Sequence, residues 1–116
     1  MPSYKLSYVD GRGYAEVSRQ LFCLSGTPFE DHRISREEWP SILESLPFGQ
    51  VPVLYVDGHP LPQSHAIARY LAQQFGFAGN SPFEAAWVDA LADQHKDYLF
   101  EMQPFFMLHY GYGKGD

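Results

Sequence analysis

The chain has 116 residues, 45 % of them apolar and 16 % aromatic, with a formal net charge of −6. That suffices for one domain with a modest core, or one small domain and a piece of a second. The acidic balance, with eight scattered Lys and Arg, argues against a nucleic-acid surface, which needs cations clustered against phosphates. No apolar run is long enough to span a membrane. The opening MPSYKLSYVDGRG lacks the uninterrupted apolar core of a signal peptide. The single cysteine, Cys23, forbids an internal disulfide, and these features together point to the cytoplasm.

Tyr4 to Val9 alternates, with Tyr4, Leu6 and Tyr8 on one face and Lys5, Ser7 and Val9 on the other, which predicts a strand. Asp10-Gly11-Arg12-Gly13 is a turn whose glycines allow close backbone near whatever Tyr8 faces. It is no phosphate cradle, because the P-loop Lys-Ser/Thr and the dinucleotide glycine spacing are both missing. A helix follows from about Tyr14 or Ala15 to Leu24, built on Val17, Leu21 and Leu24 and stopped by Gly26. Cys23 falls inside it among apolar neighbours and reads as a buried, inert thiol. Thr27-Pro28 opens a second extended segment, Phe29 to Ile34, so strand, helix and strand predict a right-handed βαβ unit with parallel strands. Ser35 and Glu38 have capping-box spacing and predict a short helix carrying Trp39, Ile42 and Leu43 and ending at Leu46-Pro47. Trp39 is either core or an indole N–H aimed into a cleft.

The stretch from Pro47 to Leu71 reads as one device. Gly49-Gln50 leads into Val51-Pro52, a short strand follows at Val53 to Val56, and Asp57-Gly58 signals a two-residue hairpin because both positions favour φ > 0. His59 to Pro62 returns, and Gln63-Ser64 opens a helix with Ile67, Ala68 and Leu71 at helical spacing. Proline holds Val51 extended, so Val51 can offer its N–H and C=O to an extended peptide-like ligand, or the pair is an ordinary edge-strand feature. Ser64 at a helix start is either a plain cap or one side of a carboxylate site. The element order, βαβαββα, is a thioredoxin-like α/β arrangement over residues 1–78, without Cys-X-X-Cys at the first helix. A redox module is therefore disfavoured, and any reacting thiol must come with the ligand.

Phe77 to Pro82 reads as a linker, and Ser81-Pro82 as the start of a long helix reaching about Leu108. Phe83, Trp87, Leu91, Tyr98 and Met102 form a wide apolar stripe that belongs in a core. Residues 79–116 are thus expected to be the opening helix of an all-helical second domain that is otherwise absent, or a helix covered by another chain. The closing GYGKGD is expected to be flexible.

The stretches YKLSYVDGRGYAE, PFEDHRI, REEWPSIL, LPFGQVPVLYVDG, PQSHAIARYLAQQFGFAGN and VDALADQHKD together resemble cytosolic glutathione transferases of the sigma class. That class includes nematode enzymes and haematopoietic prostaglandin D synthase. The resemblance covers essentially the whole chain. It implies that Tyr8 hydrogen-bonds the glutathione sulfur and holds it as thiolate. Val51, before a Pro52 that is cis in the family, would pair with the cysteinyl backbone. Gln63 and Ser64 would grip the γ-glutamyl carboxylate, Trp39, Gly49 and Gln50 would meet the glycine end, and Asp97 would reach the partner subunit's ligand in a homodimer.

The chain also departs from the pattern. Leu43 stands where many sigma sequences have a lysine, and Tyr14 where several have an arginine. Lys96 interrupts the acidic cluster that binds a divalent ion in the prostaglandin synthase, beside Asp93 and Asp97, and Pro104 replaces its pocket tryptophan. The expected function is conjugation of glutathione, as co-substrate and without a metal, to an apolar electrophile or its oxidation by an organic hydroperoxide. The alternative is a non-catalytic glutathione-binding or structural protein on the same scaffold.

Overall fold

The computed structural model describes residues 2–11 and 13–109, with side chains through Phe105. Arg12 of the predicted turn and the closing GYGKGD lie outside the described residues. The chain divides into two compact units, Met1–Phe77 and Ala78–Asp116. The first contains β1 (Tyr4–Val9), a 3-10 turn (Gly13–Ala15), α1 (Glu16–Ser25), β2 (Glu30–Ile34), α2 (Trp39–Leu43), β3 (Val53–Val56), β4 (His59–Pro62) and α3 (Ser64–Phe75); the second contains α4 (Pro82–His109). This is the thioredoxin-like order the sequence predicts, followed by the first helix of a C-terminal helical region.

The four strands form one mixed sheet in the order β2-β1-β3-β4. β1 pairs in parallel with β2, from Lys5↔Glu30 to Val9↔Ile34, and antiparallel with β3, from Tyr4↔Val56 to Ser7↔Val53. β3 and β4 are antiparallel across Asp57-Gly58, whose φ values of 51° and 84° are the left-handed pair that a two-residue hairpin requires. Ser3 N–H donates to Asp57 Oδ1 at 2.8 Å and Asp57 N–H to the Ser3 carbonyl at 2.9 Å, which ties the turn to the start of the chain. The Ser3 donor holds the Asp57 carboxyl below the usual carboxylate range.

One sheet face is covered by α1 and α3. Leu6 and Leu54 from the sheet meet Phe22 from α1 and Ile67 and Leu71 from α3, all fully buried. Each such side chain stabilises the fold by about 1.5–3 kcal/mol. Phe22 stacks on Phe29 with ring centroids 4.2 Å apart and meets Tyr4 and Phe75 edge-on. α1 closes at Gly26 (φ 69°), where Thr27 N–H reaches back to the Phe22 carbonyl at 3.1 Å.

Three local expectations need correction. α1 does not bury Val17, Leu21 and Leu24 as a stripe: Leu24 is 73 % exposed, and the buried residues are Ser18, Arg19 and Phe22. The helix is turned so that Phe22 enters the aromatic cluster and Arg19 meets backbone carbonyls, which leaves Cys23 exposed, not buried. Second, Ser35 and Glu38 make both capping-box bonds at 3.1 Å, yet residues 36–38 form a turn and α2 itself runs only from Trp39. Third, Gln63, not Ser64, stands at the N-cap of α3, and no side-chain bond caps that helix.

In the second unit, Ser81 Oγ accepts the Glu84 N–H at 3.1 Å and Glu84 Oε1 accepts the Asn80 N–H at 2.7 Å, with Pro82 first in α4. Phe83, Trp87, Leu91 and Tyr98 of the predicted stripe are exposed. Among the described residues, no helix is long and apolar enough to cross a membrane.

Candidate functional site

Tyr8 lies near the end of β1 on the face that carries Tyr4 and Leu6, with its ring in the core cluster. The chain then doubles back. Gly11 N–H closes on the Val9 carbonyl at 2.9 Å, and the 3-10 turn brings the Tyr14 N–H to the Tyr8 hydroxyl oxygen at 3.2 Å. Gly13 has φ +34°, and a Cβ built there would run into the same hydroxyl. Only glycine allows the turn to approach so closely. The phenol oxygen therefore sits against the Tyr14 N–H, in the turn that leads into α1, where negative charge is favoured. A hydroxyl that accepts an N–H is also a stronger donor through its own O–H.

Arg19 fixes this corner, and the apolar periodicity gave no hint of it. Its residue is 5 % exposed, and its guanidinium lies 5.7 Å from the Tyr8 ring centroid. It donates to the Gly11 carbonyl, to the Val9 carbonyl at 3.3 Å and to Asp31 Oδ1 at 3.1 Å. Asp31 Oδ2 in turn accepts from Arg33 at 3.0 Å, and Arg33 reaches Asp10 at 2.8 Å. These carboxylates hold the Arg33 guanidinium above its ordinary value, Asp10 being the larger influence. The available signal was an arginine on the first helix together with acidic residues in the strands beside it. Burial also pushes the Tyr14 phenol up.

A second group gathers where β3 and α3 begin. The Val51-Pro52 peptide is cis, as the resemblance implied. Pro52 is buried and Val51 half-buried against the core cluster. Strand pairing of β3 starts at Val53, so Val51 lies past the end of the ladder. Gln63 Nε2 donates to Gln50 Oε1 at 3.4 Å, which joins the approach to β3 with the start of α3. Gln63 has φ 78° and ψ 115°, a conformation that a non-glycine residue holds only when its surroundings impose it. Ser64 is the half-buried first residue of α3, so its N–H is among those a helix leaves without an intrahelical partner.

Towards the other end of this segment, Trp39 is half-buried at the start of α2, while Gly49 (φ 64°) and Gln50 are exposed. Leu43 stands beside Gly49, its Cδ1 4.0 Å from where a Cβ on that glycine would lie. Asp97 is an exposed residue of α4, in the second unit. Among the described residues no three His, Cys, Asp or Glu side chains gather as a metal site would need.

The profile of the glutathione S-transferase N-terminal domain matches residues 4–73. A probable glutathione S-transferase 7 of Caenorhabditis elegans is 53 % identical over 116 residues, covering all of this chain and 56 % of that protein. A hematopoietic prostaglandin D synthase of Gallus gallus is 50 % identical over 99 residues, 85 % of this chain and 50 % of that one. A Nu-class glutathione transferase structure from Haemonchus contortus superposes with a TM-score of 0.85 at 55 % identity, covering 100 % of this chain and 57 % of that one. A monomeric Na-GST-3 structure from Necator americanus gives 0.87 at 54 %, covering 98 % and 56 %. The chain spans about half the length of the curated relatives it matches. The N-terminal fold and these likenesses agree: the chain belongs to the glutathione S-transferase family.

Proposed function

We propose that the chain is the glutathione-binding part of a sigma-type glutathione S-transferase, acting in the cytoplasm on apolar electrophiles. The observation that carries the proposal is the Tyr8 hydroxyl, held 3.2 Å from the Tyr14 N–H at the first helical turn. A phenol so placed donates its O–H to the glutathione sulfur and favours the thiolate over the thiol. The cysteinyl backbone pairs with Val51 beside cis Pro52, and Gln63 and Ser64 take the γ-glutamyl carboxylate at the start of α3. Trp39, Gly49 and Gln50 meet the glycine end. The thiolate then attacks an electrophilic carbon, a C–S bond forms and the leaving group departs as an anion, so charge balances without a metal. With an organic hydroperoxide the thiolate instead takes one peroxide oxygen, giving an alcohol and an oxidised sulfur that a second glutathione reduces.

Within the family, the hematopoietic prostaglandin D synthase relative supports the sigma reading, while the Nu-class structure, at 55 % identity over the whole chain, marks the nematode branch as a nearer neighbour. Asp97 would act in a homodimer by reaching the partner subunit's γ-glutamyl amine. The monomeric Necator structure makes oligomeric state a quantity to measure alongside activity.

The test is Tyr8→Phe in the full chain, assayed with glutathione and a chloronitrobenzene electrophile. Loss of one oxyanion-type donor predicts a fall in kcat of about 100-fold with glutathione affinity little changed. Full turnover in this variant would remove Tyr8 from the chemistry. A second reading, a non-catalytic binder, is favoured by Leu43, which puts a hydrocarbon beside Gly49 where a cation would meet the glycyl carboxylate. Tight glutathione binding with no turnover in the wild-type protein would support it.

A further inference from the structure

Ser7, His32 and Glu38 form a hydrogen-bonded row that the reading above does not use. Ser7 Oγ lies 2.8 Å from His32 Nδ1, and His32 Nε2 lies 3.2 Å from Glu38 Oε2. The other carboxylate oxygen, Glu38 Oε1, accepts the Ser35 N–H at 3.1 Å, and Ser35 Oγ accepts the Glu38 N–H at 3.1 Å. The next residue, Trp39, donates its N–H to the Ser35 carbonyl at 3.2 Å. Serine, imidazole and carboxylate are the parts of an activated nucleophile. Ser7, however, is 2 % exposed in a strand paired on both sides, so no substrate reaches its hydroxyl. The row holds something in place instead of reacting.

What it holds follows from where it ends. Ser7 is next to Tyr8 on β1, and Glu38 is next to Trp39 at the start of α2. α2 has five residues and buries none of them. So short a helix does not persist by its own hydrogen bonds, and with only Trp39 and Ile42 half-buried it leans on the few directional bonds at its entrance. Ionised Glu38 can only accept, so His32 Nε2 carries the proton towards it. Nδ1 of a neutral ring then accepts from the Ser7 hydroxyl, and Nδ1–H of a charged ring donates to the same oxygen. A rotating hydroxyl serves both cases, so the row survives a change in imidazole charge. The Ser35 N–H first, and His32 second, hold the Glu38 carboxyl below the usual glutamate range, so it stays an acceptor.

We propose that His32 is a positioning residue that fixes Trp39 for the glycine end of glutathione, by tying Glu38 to the Ser7 hydroxyl of the central sheet. The proposal rests on the reading of Trp39 as a glycine-end contact. Its consequence is a preference for the tripeptide over γ-glutamylcysteine, which has the same thiol and γ-glutamyl group but no glycine. The residues that meet those shared groups are elsewhere, so the dipeptide should not sense the row.

The experiment is calorimetric titration of the full-chain protein with glutathione and with γ-glutamylcysteine, with circular dichroism to follow folding. His32→Asn keeps an amide near the Nδ1 position, facing Ser7, and cannot reach Glu38. His32→Gln places an amide N–H near the Nε2 position and keeps the Glu38 bond. The expected result is that His32→Asn weakens glutathione binding about fivefold and leaves γ-glutamylcysteine unchanged, while His32→Gln retains most of the tripeptide preference. Glu38→Ala, with circular dichroism confirming its fold, should reproduce the Asn effect, and the double variant should add nothing to it. Equal tripeptide preference in wild type, His32→Asn and Glu38→Ala overturns the proposal, as does a parallel loss of both ligands. Trp39→Leu separates the two levels. If it abolishes the preference while the His32 and Glu38 variants keep it, only the positioning role fails. If it keeps the preference, the glycine-end reading of Trp39 fails and the proposal with it.

Discussion

The corner around Tyr8 is buried and clamped by charge, whereas the segment from Trp39 to Gln50 stands mostly in water. In the first, a guanidinium with 6 % side-chain exposure bonds two backbone carbonyls and a carboxylate, and a glycine gives the phenol its room. In the second, Leu46 is the buried side chain, Phe48 is 65 % exposed, and the entrance hangs on Ser35, His32 and Glu38. Local opening costs least where little apolar surface is buried and backbone bonds face solvent. The proposed site thus has a stiff end where sulfur chemistry needs fixed geometry and a softer end where a carboxylate and a glycine have only to be held. If that division is right, cuts at the stiff end should damage stability and turnover together, and cuts at the soft end should touch mainly affinity.

Arg19→Met gives the largest expected effect. It keeps much of the side-chain volume but strips the donors from the Val9 and Gly11 carbonyls and leaves Asp31 without this partner. Removing one member of such a buried set should cost about 2–4 kcal/mol. Urea unfolding at neutral pH measures it, and a loss below about 1 kcal/mol would mean the corner is not clamped. Gly13→Ala comes next. The added methyl collides with the Tyr8 hydroxyl, at a φ that alanine avoids. Ring or turn must shift, at a cost of about 1–3 kcal/mol. Turnover should fall about tenfold or more because the phenol leaves its place, while glutathione affinity changes less. A variant as active as wild type would show that the turn does not set the hydroxyl's position.

The same contrast explains what was legible in the sequence. Strand alternation and the Asp57-Gly58 turn are local rules, obeyed because pleat and turn φ are decided within a few residues. Tyr8, Val51 and Pro52 came from the family motif, not from local rules: the Tyr8 hydroxyl accepts the Tyr14 N–H, and Val51 lies past the end of the strand ladder. The buried face of α1 was not legible. Ser18 and Arg19 go inside because the carbonyls and the carboxylate that satisfy Arg19 come from chain segments 8 to 12 residues away, and hydrophobic spacing is blind to such partners. Cys23 departs from its expected burial for the same reason, since moving the buried face by one residue turns the thiol outward. Residue type offers Ser64 as a plain cap or as one side of a carboxylate site, and the first falls because the bend at Gln63, with φ 78°, takes the cap position. Alternation marks His32 only as a strand residue, because its partner Ser7 meets it only once β1 and β2 lie side by side.

The smallest expected effect concerns acid and sharpens the soft end. The bonds from Ser35 and His32 lower the Glu38 carboxyl in the folded chain relative to an ordinary glutamate. A group depressed in the folded state contributes stability that is complete above its unfolded value and is lost as pH falls through the folded one. The difference in melting temperature between wild type and Glu38→Gln should therefore shrink as pH falls below the ordinary glutamate value near 4.3. Asp57, also depressed, by the Ser3 N–H, titrates in both proteins and cancels from the difference. Since Glu38 is at the surface, the effect is modest and falls with added salt. A difference that kept its full size down to about pH 3 would mean that the ionised Glu38 carboxylate is not what stabilises the entrance to α2, and that some other contact organises it.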